Sequence, residues 1–441
     1  MFDPLITKKL NAGQPLPDAY WQSTTDYLNT ATLTSHINAD VVIVGAGYTG
    51  LSCAIELAQL GIKNIVVLEA NTIGWGCSGR NAGFVLPGSG RLGYKQLVER
   101  FGKAAAFNLH QDFLNATELV ASRTKQANIN VDKTEIGYLK LAHSAKWYEK
   151  LKRTADYLEQ EFDYQVEFIN KDTLKRNYVD HQKASGAIRY TNGYGLNPLK
   201  LVNGYYKLAL QLGVKVYTQS AVESIEYVNN QHQVLTSAGS VKASQLVMAT
   251  NGYTTAHLNS PLKNKILPVL TNVVVTTPFT NEQLANSNFK THQVMMDTRE
   301  LKYYYRLLPD NRLLFGGRGA IAGKDAQHPK YQQRILQEIK STFVGLDNIK
   351  IDYNWIGWIA VSMDQMPHIY QTSDNVFYAT GYCGSGVSFS SYAGKQLAEI
   401  MVTGTSGSTL YSPLPKFPMA RFRRLGQAAF YQYGRIKDNL S

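Results

Sequence analysis

Three glycines and one carboxylate carry the first chemistry suggested by this 441-residue sequence. Gly45, Gly47 and Gly50 stand directly behind the apolar run Asp40-Val-Val-Ile-Val44, and Glu69 follows 24 residues after Gly45, closing Asn64-Ile-Val-Val-Leu-Glu69. Gly45 permits a tight turn, Gly47 lets a pyrophosphate approach the backbone, and Gly50 lets a helix lie close to a sheet. The helix N-terminus beyond them offers unpaired N–H groups and partial positive charge to phosphates. A carboxylate at position 69 can accept both ribose hydroxyls, which disfavours a 2′-phosphate and hence NADP. The sequence holds one such fingerprint, whereas enzymes that pass electrons from NAD(P)H to a flavin usually carry two. The pattern therefore implies a single dinucleotide that stays bound and a substrate that supplies the electrons.

These residues need a βαβ unit to position them. Asp40–Val44 reads as a buried parallel strand, Leu51–Leu60 as a helix stopped by Gly61, and Asn64–Glu69 as a second strand. A second glycine turn, Gly381-Tyr-Cys-Gly384-Ser385-Gly386, sits between a strand at Val376–Thr380 and a helix from about Ser388 to Met401. The two units lie at opposite ends of the chain, so a sheet that uses both is interleaved with the intervening material. That material reads as helical at Tyr94–Asn128, Ala145–Gln160, Pro198–Leu212 and Tyr331–Phe343, and as strand-rich over 265–320. Within it, Tyr303–Leu308 and Arg312–Phe315 flank the turn Pro309-Asp310-Asn311 and make a hairpin.

Composition narrows the class. Apolar residues are 44% and charged ones 18%, which excludes a disordered charged tail protein, and three cysteines cannot staple a chain of this length. The net charge of +12 would suit an acidic partner, but the Lys and Arg are scattered, so no nucleic-acid site is expected. No signal-like or spanning segment is seen, and the odd cysteine count suits a reducing compartment, giving a cytoplasmic expectation. HExxH, CxxC, G-x-S-x-G and Walker motifs are absent, so neither a metal site nor hydrolase or NTPase chemistry is expected.

Beyond the fingerprint, the loop Gly74-Trp-Gly-Cys-Ser-Gly-Arg-Asn-Ala-Gly83, the hairpin Tyr303-Tyr-Tyr-Arg-Leu-Leu-Pro-Asp-Asn-Arg-Leu-Leu314 and the second glycine turn resemble the FAD-dependent amino-acid and amine oxidases of the D-amino-acid oxidase and sarcosine oxidase type. The resemblance runs over nearly the full chain and implies an α/β fold. A Rossmann-like FAD-binding domain (40–92, 193–262 and 350–412) would be interleaved with an α+β substrate domain (93–192 and 263–349) on a mostly antiparallel sheet. Residues 1–39 would form an N-terminal arm and 413–441 a basic tail. The resemblance also implies FAD, with Gly45, Gly47 and Gly50 at the pyrophosphate, Glu69 on the ribose, Ser78, Gly79, Arg80 and Asn81 along pyrophosphate and flavin, Val222 at adenine, and Gly384, Ser385 and Gly386 by the flavin. The implied reaction is oxidation of a C–N bond by hydride transfer to flavin N5. The substrate would be γ-glutamylputrescine or a similar ω-amine. Alternatives are a small amino acid of the glycine, sarcosine or proline type, or a flavoprotein that serves as partner or maturation factor for another protein. Tyr304, Tyr305 and Trp358 are candidates for an aromatic wall, and Arg306 or Arg318 for docking a carboxylate.

Two departures stand out. Ser385 replaces the His that close relatives carry in the glycine turn, and Leu313-Leu314-Phe315 lacks the Lys that sarcosine oxidases place there. Oxygen is therefore expected to be a poor acceptor, with a membrane quinone as the alternative. No Cys lies near Ala360–Met363, where some sarcosine oxidases attach FAD, so non-covalent FAD is expected. The tail Phe417–Lys437 holds Arg421, Arg423, Arg424, Arg435 and Lys437 with no acid, and Phe422, Leu425, Ala428 and Ala429 recur at helical spacing, extended by Phe430 and Tyr433. Such a helix either lies on an anionic membrane or folds back on the body.

Overall fold

Val41–Val44 is buried on both faces because it forms the centre of a parallel sheet. The computed structural model describes residues 2–440 except 256, 259, 406, 407 and 409. In it the strand His36–Val44 pairs in parallel with Ser240–Met248 on one side and Ile65–Leu68 on the other. Lys215–Tyr217 continues the sheet beyond Ile65–Leu68, and Val376–Thr380 beyond Ser240–Met248, both parallel. His368–Gln371 closes the edge antiparallel. Strands from both ends of the chain thus meet in one sheet, as the two glycine turns require.

The second sheet runs in the order Ile351–Ser362, Ile266–Thr276, Leu313–Arg318, Tyr304–Leu307, Val294–Asp297, Tyr138–Ala142, Gly186–Tyr190, Val166–Asn170. Its pairings are antiparallel except Val294–Asp297 with Tyr138–Ala142. The hairpin forms as read, with Tyr305 opposite Phe315.

The domain boundaries shift in three places. Ile351–Ser362 pairs along its length with Ile266–Thr276, so it belongs to the second sheet rather than to the dinucleotide half. The helix Lys103–Gln126, expected in the substrate domain, packs on the dinucleotide half. Arg123 donates to Ser52 Oγ at 2.6 Å and pairs with Glu56, and Asp112 accepts from the Tyr392 hydroxyl at 2.7 Å. Gly102, at φ +83, divides the helical stretch read over 94–128 into Tyr94–Phe101 and Lys103–Gln126. The arm enters the first strand at His36, inside its expected bounds, and buries Trp21, whose Nε1 donates to the Asn81 carbonyl at 2.9 Å.

The C-terminal helix Arg423–Leu440 folds back. Arg424 pairs with Asp3, Lys437 with Glu300 at 2.6 Å, and the Asp438 carboxylate accepts from the Glu300 and Leu301 amides. Phe430, expected on the apolar face, turns inward beneath Arg91 at 5.4 Å.

Gly50 limits how closely the fingerprint helix Tyr48–Gln59 approaches its strand, since a Cβ there would stand 2.0 Å from the Gly45 carbonyl oxygen. Gly50→Ala is expected to destabilise by about 1–3 kcal/mol through overpacking. Gly426→Ala, in the C-terminal helix with nothing within 4 Å of its Cβ position, is expected to gain roughly 0.5–1 kcal/mol from helix propensity. Chemical denaturation of both variants, monitored by circular dichroism, checks the opposite signs.

Candidate active site

A cavity of about 550 Å³ lies between the two sheets, one end against the fingerprint turn and the other against the second sheet. At the first end Gly45 takes φ +110, and Gly47 leaves the Tyr48 amide free to donate to Ser78 Oγ at 3.0 Å. Ser78 thus lodges an acceptor oxygen at the helix N-terminus, where anions are favoured. Glu69 lines the same end. Its carboxylate accepts from the Ala46 amide at 2.9 Å and the Asn71 amide at 3.0 Å, tying the glycine turn to the second strand. Burial raises its pKa against the pull of those N–H donors. Val222 and Glu223 continue the wall, Glu223 paired with Lys9 at 2.8 Å.

The glycine-rich loop contributes Ser78, Arg80 and Asn81 to the wall, though two of these side chains are committed to the loop itself. Arg80 Nε donates to the Trp75 carbonyl at 2.9 Å, and its guanidinium stacks on the Trp75 ring at 4.7 Å. Asn81 donates to the Cys77 and Ser78 carbonyls and accepts from the Gly83 amide at 2.8 Å. Gly50 and Gly79 stand behind the wall. A Cβ on Gly79 would meet the Gly74 oxygen at 2.7 Å and Tyr27 at 2.9 Å, so its smallness serves packing. At the second turn, Gly384 (φ +110) has open space around its Cβ position, and Ser385 and Gly386 also line the cavity.

The second sheet closes the other end with one face. Lys140 stands opposite Met296, Met296 opposite Tyr304, and Tyr304 opposite Gly316, a single row across four strands. The Tyr304 ring lies over Gly316, where a Cβ would be 2.2 Å from it. Tyr138 and Tyr190 stack beside this row at 5.2 Å, and Lys302 and Arg318 complete the wall from the strand ends.

Three expected cavity residues lie elsewhere, for reasons of strand geometry. Tyr305 points to the opposite face from Tyr304 and stacks on Phe315 at 4.8 Å in a separate core with His181 and Phe343. Arg306 shares the Tyr304 face but sits one step past the cavity, where it donates to the Leu196 carbonyl at 2.6 Å and lies over Trp21 at 5.5 Å. Burial there lowers its pKa to about 10. Trp358 alternates away from the lining residues Gly357 and Ile359 and packs with Leu270 and Ala320, its Nε1 donating to the Phe2 carbonyl at 3.2 Å.

Four cations meet at the substrate end: Arg91, Lys140, Lys302 and Arg318. Sequence reading noted only Arg318. The available signal for Lys140 was a lone Lys between Leu139 and Leu141 on a buried strand, and for Arg91 its place behind Pro87-Gly-Ser-Gly90. Burial and then the neighbouring cations lower Lys302 to about 7; burial and then Lys150 lower Lys140 to about 8. The expectation of a weak oxygen reaction rested on missing cations, yet Lys140 and Lys302 bring ammonium groups to the wall from other strands. The cysteine reading also changes, because Cys383 lines the cavity with its Sγ 3.5 Å from Ser362 Oγ. Burial raises the Cys383 pKa, keeping it a thiol bonded to the Gly381 carbonyl.

The lining residues fit FAD. The helix N-terminus faces the cavity with Gly47 as its N-cap and with the Tyr48 amide alone given to Ser78, the Glu69 carboxylate keeps acceptor capacity after two amide bonds, and Gly384 leaves an open cradle. Among the described residues no group of His, Cys, Asp or Glu could hold a metal ion.

Residues 40–400 match the family described as FAD dependent oxidoreductase. The chain is 32% identical over 407 residues to gamma-glutamylputrescine oxidoreductase of Escherichia coli K12, covering 92% of this chain and 93% of that one. Glycine oxidase from Geobacillus kaustophilus superposes with a TM-score of 0.68 at 19% identity, covering 86% of this chain and 99% of that one. Iminodiacetate oxidase from Chelativorans sp. BNC1 gives 0.70 at 17% identity, over 85% and 98%. These two likenesses show the fold.

Glu69→Ala is expected to weaken FAD retention by roughly 1–3 kcal/mol, the cost of unmade charge-assisted hydrogen bonds, and Glu69→Gln by less. Fluorescence titration of apoprotein with FAD measures both. Unchanged affinity in the Ala variant would remove Glu69 from the ribose.

Proposed function

The chain belongs to the FAD-dependent oxidoreductase family, an enzyme of amine or amino-acid oxidation, and from that premise we propose that its substrate enters with a carboxylate held by Arg318. The observation that carries this reading is the Arg318 Nε, buried at the cavity wall with no hydrogen-bond partner. A buried guanidinium N–H left unmet is costly, and a carboxylate matches its fork. Bound FAD supplies the two-electron acceptor for the hydride that leaves the carbon next to nitrogen. Loss of that hydride would let the nitrogen lone pair close a C=N bond, and water would hydrolyse the imine to a carbonyl compound and an amine or ammonia.

This chain's residues position and exclude. Tyr304 forms the aromatic wall, with its ring against Gly316 and edge-on to Phe84 at 5.8 Å. The amine must be neutral for its lone pair to assist, and the cationic wall lowers the pKa of a bound ammonium. Gly45, Gly47, Ser78, Glu69 and Val222 would hold the dinucleotide part of FAD, and Gly384, Ser385 and Gly386 its ring. The flavin would be non-covalent; Cys77 and Cys383 are the cysteines that line the cavity, and burial raises the pKa of both.

The E. coli relative raises γ-glutamylputrescine, whose glutamyl carboxylate could meet Arg318. Small amino acids of the glycine, sarcosine or proline type present a carboxylate closer to the reacting carbon. Anaerobic bleaching of the flavin with both classes and with putrescine tests the reading. Carboxylate-bearing amines are expected to bleach it and putrescine not to, and Arg318→Met is expected to raise the half-saturating concentration by about tenfold or more. Bleaching by putrescine would overturn the carboxylate dock, and no bleaching at all would leave a partner or maturation role. Acid precipitation should release the yellow colour into the supernatant; flavin in the pellet would mean covalent attachment.

We also propose a peripheral membrane contact. No described helix is long and apolar enough to cross a membrane. The C-terminal helix, however, buries Gln427, Tyr431 and Gly434 and turns the opposite stripe outward: Leu425 is 66% exposed and Ile436 61%, with Tyr433 and Leu440 between and beyond. Exposed Arg421 and Arg435 flank this stripe. An anionic bilayer complements both features, at about 1 kcal/mol per cation near the surface, and would give access to a quinone acceptor. Co-sedimentation with anionic liposomes at low salt is expected for the wild type and lost on Leu425→Glu with Ile436→Glu. Equal binding by both would overturn the contact.

A further inference from the structure

The second-sheet end of the cavity gathers more positive charge than docking one carboxylate requires. Its lining carboxylates, Glu69 and Glu223, stand at the dinucleotide end, whereas the second-sheet end carries Arg91, Lys140, Lys302 and Arg318 and no acid. Lys140 and Lys302 make no hydrogen bond or ion pair among the described residues, and Arg91 Nη1 and Arg318 Nε are buried without partners. The carboxylate that acts on Lys302 is Glu300, outside the cavity and already shared by Arg91 at 3.8 Å and Lys437 at 2.6 Å. Four cations gathered around one shared carboxylate outside the cavity repel one another and lose hydration, a cost that a bound anion offsets.

We propose that this end of the cavity selects an amino or imino acid with a second acidic group, a dicarboxylate, whose additional carboxylate is received by Lys140 and Lys302 while the first lies on Arg318. The proposal rests on the C–N oxidation reading and narrows its substrate class. Lys140 lies in one cross-strand row with Tyr304, and Lys302 lies two residues before Tyr304 on the same strand approach, so the ammonium groups and the aromatic wall face one space. The depressed pKa of both lysines agrees with a site that lacks its counter-charge. A polyamine or a substrate of net positive charge would meet repulsion at this wall. γ-Glutamylputrescine carries one carboxylate against two ammonium groups and is disfavoured on the same ground.

Isothermal titration of the FAD-loaded protein with malonate, succinate and glutarate, each against the monocarboxylate of equal carbon count, tests this without turnover. The tightest dicarboxylate is expected to bind at least about tenfold more tightly than its monocarboxylate match. Lys140→Met and Lys302→Met are expected each to cut that preference to below about threefold, the dicarboxylate losing more affinity than its monocarboxylate match, with FAD content near wild type. Equal affinity for the two series in the wild type would overturn the proposal, whatever the variants do. A preference that survives both substitutions would overturn the assignment to these lysines. Because the probes are inert, failure here is separate from failure of the oxidation reading, which flavin bleaching reports.

Discussion

The structure depends on one close approach, that of the Gly50 Cα to the Gly45 carbonyl. No side chain fits there, so the fingerprint helix lies against its strand and its N-terminus faces the cavity. Glu69 fixes the same turn from the neighbouring strand by accepting the Ala46 amide. The helix is held from its other side by Gly394, where a Cβ would be 2.4 Å from the Thr49 carbonyl oxygen, and by Arg123 on Ser52 and Glu56. The fingerprint turn and its helix are thus set by backbone contacts that leave no room for a side chain.

The other end is built by parity. One face of the second sheet lines the cavity and the other packs a separate apolar core, so neighbours in sequence take unrelated roles. Tyr304 faces the cavity and Tyr305 the core; Gly357 and Ile359 line the wall and Trp358 does not. The same alternation brings Lys140 into the cavity between two leucines that serve the core. Small residues at Gly316 and Gly317 provide the space into which the Tyr303 and Tyr304 rings fit. A phosphate-compatible end and a cationic wall on a different sheet are joined through strands that the chain visits at widely separated points. Substrate preference can therefore be changed on the second sheet without touching the fingerprint.

The sequence by itself determined the dinucleotide end, because that end is local: strand, glycines, helix, strand and Glu69 lie within residues 40–69, and each residue type follows from backbone constraints. The hairpin, most of the helices and the interleaving of the two sheets were legible for the same reason, since periodicity and turn chemistry act over short spans. Only the tertiary structure decided the substrate end. Whether Tyr304 or Tyr305 faces the cavity depends on a strand register set by partners far away in the chain, and a shift of one residue exchanges the faces. The placement of Ile351–Ser362 in the second sheet and of Lys103–Gln126 on the dinucleotide half is likewise a matter of long-range pairing. The convergence of Arg91, Lys140, Lys302 and Arg318 has no local signature at all: the four come from a loop and three regions of one sheet, and they become one electrostatic feature because burial removes the water that would otherwise screen them from one another.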